Sequence, residues 1–91
     1  MINDKGNLSA KAQKILSALG GIENIENGKI DNCATRLRIQ VKNTHQVDEP
    51  QLRRQGALGF IRLPENQIQV VFLNVHTLAD ELRKQAQKVT A

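Results

Sequence analysis

The chain has 91 residues, enough for one small domain and too few for a large catalytic cleft with a second lobe. Its 40% hydrophobic and 24% charged residues are typical of a globular protein and exclude a disordered or low-complexity chain. Thirteen basic residues against nine acidic ones leave a net charge of +4, which indicates an anionic partner or substrate without naming its class.

The first predicted element is a helix that follows a polar start. Residues 1–8 are predicted to form a flexible N-terminal segment, and residues 9–90 a single domain. Ser9 is a good N-cap, and apolar residues at helical spacing follow it. Gly20 and the glycine after it end the pattern, so the sequence predicts a helix between Ser9 and Gly20.

Two strands are predicted next. Residues 22–32 contain scattered isoleucines and the pair Asn27 and Gly28, which together predict a short strand carrying a turn or a bulge. Residues 36–42 alternate between apolar side chains and basic or polar ones. A period of two over seven residues predicts a strand with one buried face.

The second half of the chain repeats this order. Residues 47–55 predict a short helix with Leu52 inward, and residues 60–63 and 68–72 predict two antiparallel strands around a polar turn. Apolar side chains at helical spacing from Val75 onward predict a last, amphipathic helix, with Asn74 or Thr77 as its cap. The order α-β-β-α-β-β-α predicts an α+β fold: a four-stranded antiparallel sheet with three helices packed on one face.

The segment IDNCATRLRIQV contains the chemically most informative residues. Strand alternation places Arg36 and Arg38 on one face, about 7 Å apart. Continued backwards, the same alternation would place Cys33 on the apolar face. The run from Asp31 to Thr35 is rich in turn formers, however, so Cys33 is predicted to lie at the tip of a hairpin.

A cysteine beside two arginines permits nucleophilic chemistry, because the thiolate is the reactive form and nearby cations stabilise it. Guanidinium groups also hold phosphate oxygens by paired hydrogen bonds. A second interpretation stands beside this one. A lone cysteine is often a buried, inert side chain, and arginines on an exposed strand face often serve only solubility. Spacing alone leaves both interpretations open.

A family resemblance rests on this motif and its surroundings. Residues 15–82 resemble the IIB domains of the glucose-type family of the bacterial phosphoenolpyruvate-dependent sugar phosphotransferase system. The matching segments are LSALGGIENI, DNCATRLRIQVKN, VDEPQLRRQGALGF and IQVVF. The run CATRLR is the specific part of the match.

The resemblance implies a phosphotransferase component. Cys33 would receive a phosphoryl group from a phosphohistidine on a IIA domain and pass it to sugar bound by a membrane-embedded IIC domain. Arg36 and Arg38 would bind the phosphate and support onward transfer, Thr35 would complete the phosphate site, and Asp31 matches a supporting polar position. The chain would lie in the cytoplasm, bound to the inner face of the membrane through IIC, and would need no cofactor.

Two departures from that family are visible in the sequence. The stretch ENGK before Ile30 is longer than usual, which predicts a bulge in the first strand but lies before the cysteine. The family usually has a glycine after its QVIF-like strand, whereas Leu73 follows Phe72 here. This second departure motivates an alternative function, a IIB-like regulatory or interaction module that no longer relays phosphate.

The remaining motifs argue against other classes of function. His45 and His76 show no metal-ligand spacing with Cys33, so they are predicted to be loop or cap residues, and no metal is proposed. The basic residues are dispersed and aromatic residues are nearly absent, so no nucleic-acid partner is expected. The single cysteine and the lack of a signal peptide or a long apolar run predict a cytoplasmic protein.

Overall fold

The computed structural model describes residues 4–90, with the side chains of residues 7–87. Helices and strands follow one another in the predicted order α-β-β-α-β-β-α. The helices are α1 (Asp4–Ala18), α2 (Glu49–Arg54) and α3 (Val75–Thr90), and the strands are β1 (Ile25–Asn32), β2 (Arg36–Val41), β3 (Gly59–Leu63) and β4 (Gln67–Val71). Short 3-10 turns precede β1 at Ile22–Asn24 and α2 at Thr44–Gln46.

The four strands form one antiparallel sheet in the order β1-β2-β4-β3. Alternate side chains of the two central strands are buried under the helices: Leu37, Ile39 and Val41 of β2, and Ile68 and Val70 of β4. The helices complete a single core with Ala12, Ile15, Leu16 and Leu19 of the α1 segment, Leu52 of α2, and Val75, Leu78, Ala79, Leu82 and Ala86 of α3. The predicted α+β fold is therefore confirmed.

Helix α1 starts earlier than the sequence indicated. The helix already includes Asp4, the first described residue, so Ser9 lies inside it, and the prediction of Ser9 as its N-cap is wrong. A serine interrupts a helix only weakly. Tertiary contacts also favour the longer helix, since Leu8 packs against the core and Nε2 of Gln85 in α3 donates to the carbonyl of Ser9 at 3.0 Å. Gly20 and Gly21 end the helical region as predicted, with φ angles of 99° and 87°. Residues 1–3 of the predicted flexible segment lie outside the described residues, and the domain boundary at residue 9 stays a prediction.

The predicted bulge in the first strand is confirmed. The pairing of β1 with β2 changes register between Ile25 and Ile30, and Asn27 and Gly28 have φ angles of 55° and 63° within that stretch. Regular pairing resumes at Ile30 and continues through Asn32. The bulge therefore does not disturb the part of β1 that leads into the cysteine loop.

A buried asparagine in the 3-10 turn before β1 forms three side-chain hydrogen bonds to two other parts of the chain. Asn24 is 3% exposed, and its Nδ2 donates to the carbonyl of Leu19 at 2.7 Å and to that of Asn43 at 3.0 Å. Its Oδ1 accepts the backbone N–H of Asn43 at 3.0 Å. The amide therefore ties the end of α1 to the segment that follows β2, and it satisfies one buried backbone carbonyl and two partly buried backbone groups.

We expect the substitution Asn24→Ala to lower the free energy of unfolding by about 2 kcal/mol, because it leaves buried backbone groups without hydrogen bonds. Urea denaturation of the purified protein measures the change. Asn7→Ala, at an exposed position of α1, is the control and should change the same quantity by less than about 0.5 kcal/mol. Equal stability of the two variants would contradict the role assigned to Asn24.

Candidate active site

The loop between β1 and β2 carries the cysteine. The backbone N–H of Cys33 donates to the carbonyl of Arg36 at 2.9 Å, which closes the hairpin. The carbonyl of Thr35 accepts the N–H of Phe72 at 3.2 Å, so the loop is also tied to the end of β4. Strand β1 ends at Asn32, and the Cys33 side chain is half-buried within the loop. The prediction of Cys33 at a hairpin tip is confirmed.

The surroundings of the thiol favour its ionised form. The pKa of Cys33 is lowered from its ordinary value chiefly because the backbone N–H of Thr35 donates to the sulfur. Partial burial opposes this effect, while the N–H of Arg36 and then the charge and hydrogen bond of the Arg38 side chain lower the pKa further. Main-chain donors therefore contribute most to stabilising the thiolate of Cys33, and the guanidinium of Arg38 contributes less.

The two arginines occupy the face of the sheet opposite the helices, as strand alternation predicted, but they are not equivalent. Arg36 is half-buried, and its Nη1 donates to Oε1 of Gln69 at 2.9 Å. Arg38 is exposed, and its guanidinium interacts with the thiol of Cys33. Arg36 acts on the thiol through its backbone N–H, while its guanidinium is held by β4 beside the site.

The other two predicted site residues lie close to these groups. Thr35 is exposed and contributes its backbone N–H to the thiol. Asp31 pairs with Arg38 in the strand register, on the same face of the sheet. Its carboxylate lies 3.8 Å from the Nζ of Lys29, with both side chains largely exposed. Asp31 therefore belongs to the rim of the site.

Several residues near the loop were missed by reasoning from the sequence. Gln69 accepts a hydrogen bond from Arg36. The sequence indicated only that Gln69 occupies a polar position in the alternating pattern of β4. Asn32 contacts both the Cys33 carbonyl and His76. His76 lies in the first turn of α3, so its prediction as a loop or cap residue is wrong. His45 is exposed within the 3-10 turn Thr44–Gln46.

Within residues 7–87, whose side chains are described, no three His, Cys, Asp or Glu side chains lie close enough together to hold a metal ion. None of the helices described in residues 4–90 combines the length and the apolar character required to cross a bilayer.

We expect Arg38→Gln to raise the pKa of Cys33, because the substitution removes a cation and a hydrogen bond from the thiolate. Alkylation by iodoacetamide reports the thiolate, so its rate falls as the pH drops below the thiol pKa. We expect alkylation at neutral pH to slow about threefold. Arg36→Gln should have a smaller effect, since its guanidinium is bound to Gln69 and its backbone N–H remains.

Arg62→Gln is the matched control, because Arg62 pairs with Glu49 at 3.4 Å, away from the loop. Its alkylation profile should follow that of the parent protein. The assignment of Arg38 to the thiol would be rejected if Arg38→Gln and Arg62→Gln gave the same profile.

Comparisons with known proteins agree with this geometry. Residues 13–48, which include Cys33 and both arginines, match a family model described as "phosphotransferase system, EIIB". A crystal structure of one domain of the PTS system IIabc component from Clostridium difficile superposes with a TM-score of 0.72. The superposition covers 90% of this chain and 85% of that one at 21% identity, which shows a common fold.

Two relatives in sequence extend the match. The N-acetylglucosamine-specific EIICB component of Bacillus subtilis is 46% identical over 70 residues, which are 76% of this chain and 15% of that protein. The N-acetylglucosamine-specific EIIB component of Streptomyces coelicolor is 42% identical over 56 residues, which are 62% of this chain and 70% of that protein. The chain thus spans a small part of the fused relative and most of the separate one. It belongs to the EIIB family of the sugar phosphotransferase system, the phosphoryl-transfer components of sugar uptake.

Proposed function

We propose that Cys33 carries a phosphoryl group from a IIA phosphohistidine to a sugar bound by a IIC domain. In the first step the thiolate attacks phosphorus, an S–P bond forms, and the N–P bond breaks with its electron pair returning to the imidazole. In the second step a sugar hydroxyl attacks phosphorus and loses its proton to water. The O–P bond forms, the S–P bond breaks, and the thiolate of Cys33 is regenerated.

The observation that carries this proposal is the convergence of donors on one sulfur. The N–H groups of Thr35 and Arg36 and the side chain of Arg38 all stabilise the thiolate of Cys33. A lowered thiol pKa increases the fraction of nucleophilic thiolate at neutral pH, which favours the first step. The lowered pKa also makes the same sulfur a better leaving group in the second step, so one electrostatic arrangement supports both steps of the transfer.

The phosphate itself has three oxygens to be held. Arg38 is exposed beside the thiol, and Arg36 is oriented by Gln69 on the same face of the sheet. Planar guanidinium groups form paired, charge-assisted hydrogen bonds with phosphate and offset the charge that develops during transfer. We assign Arg36 and Arg38 to phosphate binding, with Thr35 contributing a main-chain donor and Asp31 a supporting position at the rim.

The partners follow from the chemistry and from the relatives. The name of the Bacillus subtilis relative joins the C and B components in one protein, which supports a IIC acceptor for the present chain. Leu58 and Leu73 are 62% and 73% exposed. The N–H of Leu58 donates to the carbonyl of Val71, the last residue of β4, at 2.8 Å. Leu73 follows Phe72, whose N–H donates to the carbonyl of Thr35 in the cysteine loop at 3.2 Å. Exposed leucines beside a basic site suit a donor surface that is apolar with acidic groups around it. Docking to IIC would place the chain at the cytoplasmic face of the membrane.

The proposal predicts phosphorylation at a single residue. Incubation with a phosphorylated IIA domain of the glucose-type family should increase the mass of the chain by one phosphoryl group, mapped by peptide mass spectrometry to Cys33. Cys33→Ser should remain unlabelled, because its hydroxyl is far less ionised than a thiol at neutral pH. The absence of label with several IIA donors would exclude the carrier function and favour a regulatory or interaction module.

Delivery of the phosphoryl group should depend on the shape of the arginines. Arg36→Lys and Arg38→Lys retain a positive charge but lose the planar pair of donors. We expect both variants to accept phosphate from IIA at rates within about threefold of the parent and to transfer it to sugar at least tenfold more slowly. N-acetylglucosamine with membranes containing IIC is the first acceptor to test, because both relatives carry that sugar in their names. Unchanged sugar phosphorylation by both variants would contradict this division of roles.

A further inference from the structure

A polar cluster lies behind the cysteine loop, on the side of the sheet that faces α3. We call Asn32, His76 and Arg83 the Asn32 cluster. Asn32 is the last residue of β1 and is half-buried, and it follows the buried Ile30 on the same face of the strand. Its Nδ2 lies 3.1 Å from the carbonyl oxygen of Cys33 and 2.9 Å from Nδ1 of His76. Its Oδ1 accepts from Nη1 of Arg83 at 3.1 Å.

Donor and acceptor chemistry determines how these groups are arranged. A guanidinium has no acceptor, so the atom of Asn32 that faces Arg83 must be the amide oxygen. The two amide hydrogens then point to the Cys33 carbonyl and to Nδ1 of His76. His76 must therefore accept at Nδ1. Reversing the Asn32 amide would set its NH₂ group against Arg83 and remove the donor from the Cys33 carbonyl.

Arg83 is itself held in place from two directions. Its Nη1 also donates to the carbonyl of Ile30 at 2.8 Å, within the strand that leads to the loop. Its Nη2 pairs with Oδ1 of Asp80 at 2.8 Å, on the same helix. The guanidinium thus joins α3 to the end of β1, and the orientation of Asn32 is imposed by tertiary structure.

The held carbonyl belongs to the nucleophile's own residue. The N–H of Cys33 is bound to Arg36 and its carbonyl to Asn32, so both backbone groups of Cys33 have assigned partners. The peptide groups that follow along the chain include the N–H groups of Thr35 and Arg36, which stabilise the thiolate. If the Cys33 carbonyl were released, the peptide that follows could rotate, and its oxygen could turn toward the anion. Such a rotation would weaken the stabilisation of both thiolate and phosphate.

We propose that Asn32 is a positioning residue for Cys33, and that His76 serves it as a hydrogen-bond acceptor. The Asn32 cluster acts through the peptide of Cys33 and touches neither donor nor sugar. Its importance for phosphoryl transfer rests on the function proposed above, whereas its effect on the thiol does not. The cluster couples α3 to the cysteine loop, because two of its three members lie on that helix.

The experiment compares uncharged substitutions, so that no new charge perturbs the thiol. Asn32→Leu removes the donor to the Cys33 carbonyl. His76→Leu removes only the acceptor for Asn32, and His76→Gln supplies a side-chain oxygen in its place. His45→Leu is the control for loss of an exposed histidine away from the loop. The readouts are the pH profile of iodoacetamide alkylation and the rate of phosphorylation by a IIA donor, with thermal unfolding as a check of the fold.

We expect Asn32→Leu to slow alkylation at neutral pH about three- to tenfold and to move the midpoint of the pH profile to higher pH. This size of effect is consistent with the loss of one hydrogen bond. His76→Leu should change both quantities about twofold in the same direction, and His76→Gln should restore them. His45→Leu should match the parent protein. Phosphorylation rates should fall in the same order.

Two outcomes would overturn the inference. An unchanged alkylation profile in a folded Asn32→Leu variant would show that Asn32 does not position Cys33. Equal profiles for His76→Gln and His76→Leu would remove the role of His76 as an acceptor. If Asn32→Leu does not fold, the pair of His76 variants decides the question, because that position is exposed. Alkylation requires no donor and no sugar, so its result is independent of whether phosphoryl transfer occurs.

Discussion

The antiparallel pairing of β2 with both of its neighbours is the constraint on which the site depends. Pairing with β1 turns the chain at Cys33 and directs successive N–H groups toward the sulfur. Pairing with β4 brings Gln69 to Arg36 and ties Thr35 to Phe72. A loop held by both strands keeps its donors in place before any phosphate arrives, which is the arrangement that stabilises a developing anion most effectively.

The sheet also separates two tasks by its two faces. Apolar side chains on one face pack against the helices and stabilise the domain. The opposite face carries Arg36, which is half-buried, and Arg38, which is exposed. Asn32 forms the connection between these faces, since it lies on the helix side and contacts the backbone of Cys33. Side-chain alternation in strands makes this division possible at neighbouring positions.

Local sequence patterns predicted much of the fold because they reflect local physics. The alternation in 36–42 predicted the face on which the arginines lie, and Asn27 with Gly28 predicted the bulge in β1. The predicted start of α1 was wrong because a cap signal does not show tertiary contacts: Leu8 packs against the core, and Gln85 of α3 donates to the carbonyl of Ser9.

The parts of the site that were missed all depend on distant pairs. Gln69 meets Arg36 across 33 positions in the chain, and His76 and Arg83 meet Asn32 across 44 and 51. The sequence by itself determined the order of the elements, the place of the proposed nucleophile in a turn and the shared face of the two arginines, because these follow from periodicity, turn chemistry and a local motif. Only the tertiary structure decided which donors and acceptors orient that motif, because strand register and the packing of α3 bring together groups that no local pattern relates.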